Sequence, residues 1–130
     1  IGVYDSKKKE ILLSNAGHEP PLISASNGSF TNFTDSGPPL GIQEKITYQE
    51  TVLPFSSSSM YVFTDGITEI KDSSGKMLGA EGFKSYIAKH QKVTNDKRLK
   101  NILDDIISSG KIQKDDLTIL VVDENKEDAN

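Results

Sequence analysis

Two short apolar runs, Met60–Thr64 (MYVFT) and Leu117–Val122 (LTILVV), each meet carboxylates at one end. Asp65 follows the first, and Asp115-Asp116 precede the second. Both runs carry β-branched or aromatic residues and read as strands. The second is almost wholly apolar and reads as a central strand. An acid at the end of a buried strand loses hydration unless a partner replaces it. In antiparallel neighbours, the exit of one strand lies beside the entrance of the next. Pairing the runs antiparallel therefore brings Asp65 and Asp115, 50 positions apart, to one sheet edge.

Carboxylates brought together raise each other's pKa, and a divalent cation removes that repulsion. Oxygen-only ligands select hard ions, Mg²⁺ or Mn²⁺. Gly66 lets the chain turn sharply after Asp65. The Thr118 hydroxyl is a candidate to orient the Asp115-Asp116 corner. Spacing by itself leaves an ordinary alternative open. Asp-Gly is common turn chemistry, and acids ahead of a strand are commonly solvated.

The rest of the chain fits around these strands. Ile1–Asp5 and Glu10–Asn15 flank a polar turn, Ser6–Lys9, and predict a hairpin. Leu22–Ser26 and Ser29–Phe33 flank Asn27-Gly28, a strong hairpin signal. Asp35–Gly41 (DSGPPLG) is a Gly/Pro loop. Alternation over Ile46–Leu53 predicts another strand, and Ser56–Ser59 connects it to the next. Glu81–Gln91 places Phe83, Tyr86, Ile87 and His90 at helical spacing, and Asn95–Ser109 carries a stripe of Leu99, Ile102, Leu103, Ile106 and Ile107. Thr94 or Asn95 can cap the second helix and Gly110 can end it. Strands first and helices later, with no internal repeat, predict an α+β fold.

Composition excludes several functions. The formal charge is −4 and the pI about 5.1, so non-specific nucleic-acid binding lacks its basic face. Without cysteine there is no disulfide, thiolate nucleophile or cysteine-based zinc site. The same absence fits the cytoplasm. No apolar run has a membrane-spanning length, and no signal peptide is visible.

Four segments then occur in order: Ser14–Ile23 (SNAGHEPPLI), Ser36–Ile42 (SGPPLGI), Met60–Phe83 (MYVFTDGITEIKDSSGKMLGAEGF) and Asp115–Val122 (DDLTILVV). Together they resemble the PPM-type (type 2C) metal-dependent serine/threonine phosphatases. The branch is the bacterial one of stage II sporulation protein E and the stress-response phosphatases. The resemblance covers nearly the whole chain. It implies an antiparallel β-sandwich flanked by helices, with a metal cluster at one edge. It implies hydrolysis of phosphoserine or phosphothreonine on a regulatory phosphoprotein of the anti-anti-sigma type. Two Mn²⁺ or Mg²⁺ ions would activate the attacking water, with no protein nucleophile. By motif match Asp65 and Asp115 are metal ligands and Asp116 is a supporting position. The loop of Asn15, Gly17 and His18 falls at the site edge.

The family also carries an early Asp-x-x-Gly-His-Gly motif whose Asp bridges both metals. None occurs in these 130 residues. The resemblance thus implies the C-terminal portion of a phosphatase domain over 1–122, lacking its N-terminal third, with 123–130 as an acidic disordered tail. Such a portion holds its metals incompletely and is expected to be inactive alone. Its uncovered sheet edges favour self-association. The rival reading is a non-catalytic protein-binding or regulatory module that keeps the fold.

Other residues have simpler readings. Asn15, Gly17 and His18 shape a tight turn before Pro20-Pro21, although His18 is also a candidate proton donor. His90 is a helix-boundary residue. Asp35-Ser36-Gly37 matches the aspartic-protease tripeptide, but Thr31–Thr34 is not the apolar strand such a site follows, and a loop turn is the plainer reading. Asn27-Gly28-Ser29 and Asn32-Phe33-Thr34 fit glycosylation sequons, which matter only in a secreted eukaryotic chain. Lys7–Lys9 reads as a solvated hairpin tip. Lys84, Lys89, Lys92, Lys97, Arg98 and Lys100 read as a solvated basic set that could steer an acidic partner.

Overall fold

The computed structural model describes residues 1–109 and 116–124, apart from the side chains of residues 95 and 96. In chain order its elements are β1 (Gly2–Asp5), β2 (Glu10–Leu13), β3 (Leu22–Ala25), β4 (Phe30–Thr31), β5 (Thr51–Pro54), β6 (Ser58–Phe63), α1 (Asp65–Thr68), α2 (Gly79–His90), α3 (Asn95–Ser108) and β7 (Ile119–Asp123). This is the expected α+β order. One sheet runs β1-β2-β5 and the other β4-β3-β6-β7. The chain forms two compact units: Ile1–Met60 with the residues from Val122 on, and Tyr61–Val121. Strands β6 and β7 each carry residues of both units.

In the first unit, β1 and β2 form the expected hairpin, with Val3 opposite Leu12. The Asp5 carboxylate closes its turn by accepting the N–H groups of Lys7 at 2.9 Å and Lys8 at 3.0 Å. Strand β5 pairs antiparallel with β2, placing Val52 opposite Leu12. The period of two puts Ile11 and Leu13 into the core, while Val3 and Val52 stay exposed. Asn27-Gly28 turns β3 into β4 as expected. Gly28 has φ +88°, and the Asn27 side-chain oxygen accepts the Ser29 N–H at 2.9 Å.

Two strand expectations need correction. Only Thr51–Pro54 of the segment predicted over Ile46–Leu53 joins a sheet. The alternation at Ile46 and Tyr48 instead reflects half-burial of an irregular segment. Pro54, with no N–H to give, is tolerated because β5 ends its sheet order. The predicted central strand Leu117–Val122 is observed as Ile119–Asp123 at one end of its sheet order. Its burial alternates, and Leu120 is 57% exposed. An unbroken apolar run suggests burial on both faces, but here one face stays open.

Asp123 and Glu124 were expected in the tail. Asp123 ends β7, and Glu124 is anchored. Its backbone N–H donates to Ser58 O at 2.9 Å. Its carboxylate, 6% exposed, accepts from Lys9 Nζ at 2.5 Å, Ser57 N at 2.6 Å and Tyr4 Oη at 3.3 Å. Lys9 and Ser57 both have left-handed backbones, φ 56° and 49°. One carboxylate thus holds two turns that their residue types disfavour. Residues 125–130 of the expected tail lie outside the described residues.

The Lys9 ammonium and then the Ser57 N–H hold the Glu124 carboxyl below its usual value of 4.5. A folded-state pKa below the unfolded one contributes stability that is complete above the unfolded value. That contribution is lost as pH falls through the folded value. Asp5, Asp72 and Asp105 are also held low, so the informative quantity is a difference. Urea midpoints of the wild type should fall more steeply than those of Glu124→Gln as pH drops below about 4.5. Parallel curves would remove Glu124 from this role.

In the second unit, Phe83 of α2 meets two aromatics of β6 edge-on: Phe63 at 4.9 Å and Tyr61 at 6.4 Å between ring centroids. Ile87, one turn on, is fully buried, as are Ile67 and Ile102, with Ile106 nearly so. Helix α2 begins two residues before its predicted start, and α3 ends at Ser108. Thr94 is the α3 N-cap, without a side-chain capping bond. Gly110, its expected end, lies outside the described residues. Arg98 departs from the solvated basic set. It is 5% exposed, and its Nη1 donates to Tyr61 Oη at 3.2 Å. His90 closes α2 as expected, and its Nε2 lies 2.7 Å from Asp105 Oδ2 on α3.

Candidate functional site

The candidate site forms where β6 ends and β7 begins. Thr64 N donates to Thr118 O at 3.1 Å, and Glu124 N donates to Ser58 O at 2.9 Å. As β6 advances from Ser58 to Thr64, its partner runs back from Glu124 to Thr118. The two strands are therefore antiparallel, the pairing on which the convergence of acids depends.

Asp65 opens the one-turn helix α1, where a plain turn was expected. Its side chain is exposed. The carboxylate makes no hydrogen bond or ion pair among the described residues. Its backbone carbonyl accepts from Glu69 N at 2.9 Å and Thr68 Oγ1 at 3.1 Å, which fixes the turn behind it.

Gly66 is buried. It does not carry a left-handed φ. The demand for glycine comes from close approach: a Cβ would stand 2.4 Å from the Asp116 carbonyl oxygen. Backbone thus touches backbone where the two strands meet. Asp116 is exposed at this corner, and Asp115 lies outside the described residues.

The corner is joined by a residue that sequence reasoning passed over. Thr64 Oγ1 donates to Asp116 O at 3.3 Å and accepts the Thr118 N–H at 3.2 Å. A hydroxyl does both because it has one proton and two lone pairs. Thr118 was expected to orient the corner through its hydroxyl, but it takes part through its backbone. The available signal for Thr64 was a threonine directly before Asp-Gly, a favoured residue at a helix start.

In the first unit, Asn15, Gly17 and His18 form a tight turn. Asn15 Nδ2 donates to His18 O at 2.8 Å, and its Oδ1 accepts the His18 N–H at 3.0 Å. Gly17 has φ +80°, and Pro39 would lie 2.6 Å from a Cβ there. The exposed His18 ring contacts Glu19 O through Nδ1 at 2.9 Å. Asp35 accepts the Thr51 hydroxyl. It lines a pocket of about 220 Å³ in which it is the one acid among the described lining residues. The paired carboxylates of an aspartic protease are not found there.

For a divalent ion, the described residues fit in part. Asp65 offers an exposed carboxylate with no competing partner among the described residues. No group of three or more His, Asp or Glu able to hold an ion occurs among the described residues. Among them, too, no helix is long and apolar enough to cross a membrane.

Known proteins match this frame. Protein IcfG of Synechocystis sp. is 27% identical over 128 residues, which is 96% of this chain and 20% of that protein. The chain therefore spans about a fifth of the curated relative's length. The SiaA-PP2C domain of Pseudomonas aeruginosa aligns over 93% of this chain and 49% of that one, at 18% identity and a TM-score of 0.74. The manganese-presoaked phosphatase domain of SpoIIE from Bacillus subtilis aligns over 97% of this chain and 56% of that one, at 15% identity and 0.70. The RsbU and RsbW domains of Rv1364c from Mycobacterium tuberculosis align over 92% and 34%, at 23% identity and 0.71. These likenesses establish the PP2C phosphatase fold. The model of the stage II sporulation protein E (SpoIIE) family matches residues 1–125, and the chain belongs to that family.

Proposed function

We propose that this chain supplies part of the catalytic edge of a metal-dependent protein phosphatase. The substrate class is phosphoserine or phosphothreonine on a regulatory phosphoprotein. The observation that carries this reading is the Gly66–Asp116 backbone contact within a SpoIIE-family chain. It ties the exit of the Asp65 strand to the entrance of the strand that follows Asp115.

Asp65 and Asp115 are the proposed ligands of Mn²⁺ or Mg²⁺, with Asp116 beside them. Such an ion, when bound, neutralises phosphoryl charge and acidifies water. The chain's own contributions are geometric and electrostatic. Gly66 permits the close approach. Thr64 ties Asp116 to Thr118 through two hydrogen bonds. Asp65 brings a negative charge that attracts a cation. The 130 residues contain no Asp-x-x-Gly-His-Gly segment, so the proposal includes inactivity of these residues by themselves.

The test compares the isolated chain with the protein that carries it, on a phosphoserine peptide with Mn²⁺. Turnover by the carrier protein alone is the expected result. Robust turnover by the isolated chain refutes the inactivity. No turnover by a folded carrier favours the binding-module reading. The same isolated sample addresses self-association, for which the exposed Val3 and Val52 argue. A monodisperse monomer in concentrated light scattering removes that part.

A further inference from the structure

A second recognition site lies in the first unit, within the irregular stretch between β4 and β5. The pocket of about 220 Å³ there is lined by Asp35–Pro38, Ile46–Gln49 and Asn15. Its walls are fixed. Gly37 N donates to Asn15 O at 2.9 Å, and Tyr48 Oη donates to Pro38 O at 3.0 Å. The Tyr48 ring lies against Gly37 so closely that a Cβ there would stand 2.6 Å from it. Asp35, one of the lining residues, accepts the Thr51 hydroxyl through Oδ2. No cation among the described residues pairs with Asp35. Residues 35–50 carry three acids and a single lysine.

We propose that this pocket takes a basic side chain, arginine before lysine, from a partner protein. The chemistry is complementary on each count. A carboxylate with no cationic partner among the described residues attracts the cation, and the local excess of acid steers it in. An aromatic ring stabilises a cation placed against it. A planar guanidinium stacks on such a ring and forks onto a carboxylate, whereas an ammonium does neither as well. The test reads binding and not hydrolysis, so its outcome is separate from that of the phosphatase reading.

The experiment is an NMR titration of the ¹⁵N-labelled protein with the blocked tripeptide Gly-Arg-Gly and with its citrulline counterpart, a neutral isostere. The arginine peptide should shift the Gly37, Tyr48 and Gln49 amides with millimolar affinity. Citrulline should bind about fivefold more weakly, the scale of one exposed ion pair. Asp35→Asn keeps an acceptor for Thr51 and should bring the arginine peptide down to the citrulline level. Equal binding of the two peptides overturns the proposal, as do shifts scattered over other acidic surface. If Asp35→Asn does not fold, the peptide pair on the wild type decides. Free L-arginine binding more tightly than the peptide would indicate a small-molecule ligand and overturn the assignment to a protein partner.

Discussion

Replacing Asp65 with Asn in the protein that carries this chain is expected to abolish Mn²⁺-dependent phosphopeptide hydrolysis. The loss should be about a hundredfold or more. Partners outside a metal's ligand shell already cost about 10–100-fold when removed, and a direct ligand exceeds that. The substitution keeps size and shape and deletes charge. Asp65 is exposed and its side chain bonds nothing among the described residues. The fold therefore has little to lose, and stability should stay within about 0.5 kcal/mol of the parent. That combination separates a ligand from a structural acid. A structural acid would lower the unfolding midpoint along with the rate. Asp115→Asn is expected to abolish activity as well, and Asp116→Asn to lower it less, as befits a supporting position. Near-normal hydrolysis by Asp65→Asn would mean that the ligand assignment is wrong, whatever the fold.

The pairing behind this prediction was legible because it rests on local patterns. The apolar residues of β6 stop at Asp65, the run that becomes β7 starts after Asp116, and antiparallel neighbours align exit with entrance. Both hairpins were legible for the same reason, since Asn27-Gly28 and Ser6–Lys9 carry their own turn chemistry. What escaped was decided by partners far away in the chain. Nothing in its own neighbourhood marks Glu124 as the anchor of Lys9 and Ser57, because those groups come from turns 115 and 67 positions away in sequence. Arg98 reads as solvated in a lysine-rich helix, but it is buried, with the Tyr61 hydroxyl, 37 positions away, among its partners. Ile46–Gln49 alternates like a strand, but alternation records half-burial, and a pocket wall produces it as well as a sheet does. At Gly66 the sequence suggests a sharp turn, whereas the requirement is the space another backbone occupies.

That requirement makes Gly66→Ala the most direct test of the corner. Two effects compete. Alanine is the better helix former by about 1 kcal/mol, and Gly66 lies in α1. The helix is a single turn, however, so there is little propagation for that preference to act on. Against it, the new Cβ would meet the Asp116 carbonyl oxygen at 2.4 Å. A backbone atom cannot rotate aside as a side-chain tip does. Overpacking of this kind costs about 1–3 kcal/mol, so the clash wins. The unfolding midpoint should fall by about 2–8 °C. Relief comes by pushing the strands apart, and the Thr64 hydroxyl bonds at 3.3 and 3.2 Å, longer than the 3.1 Å bond from Thr64 N to Thr118 O, give before it. Activity should then fall with both carboxylates still present. Raised Mn²⁺ should restore part of it, because the ligands are displaced rather than deleted, whereas Asp65→Asn should not respond. If Gly66→Ala melts with the parent and hydrolyses substrate at the parental rate, the two strand ends do not press together. The carboxylates would then have no shared corner in which to hold an ion.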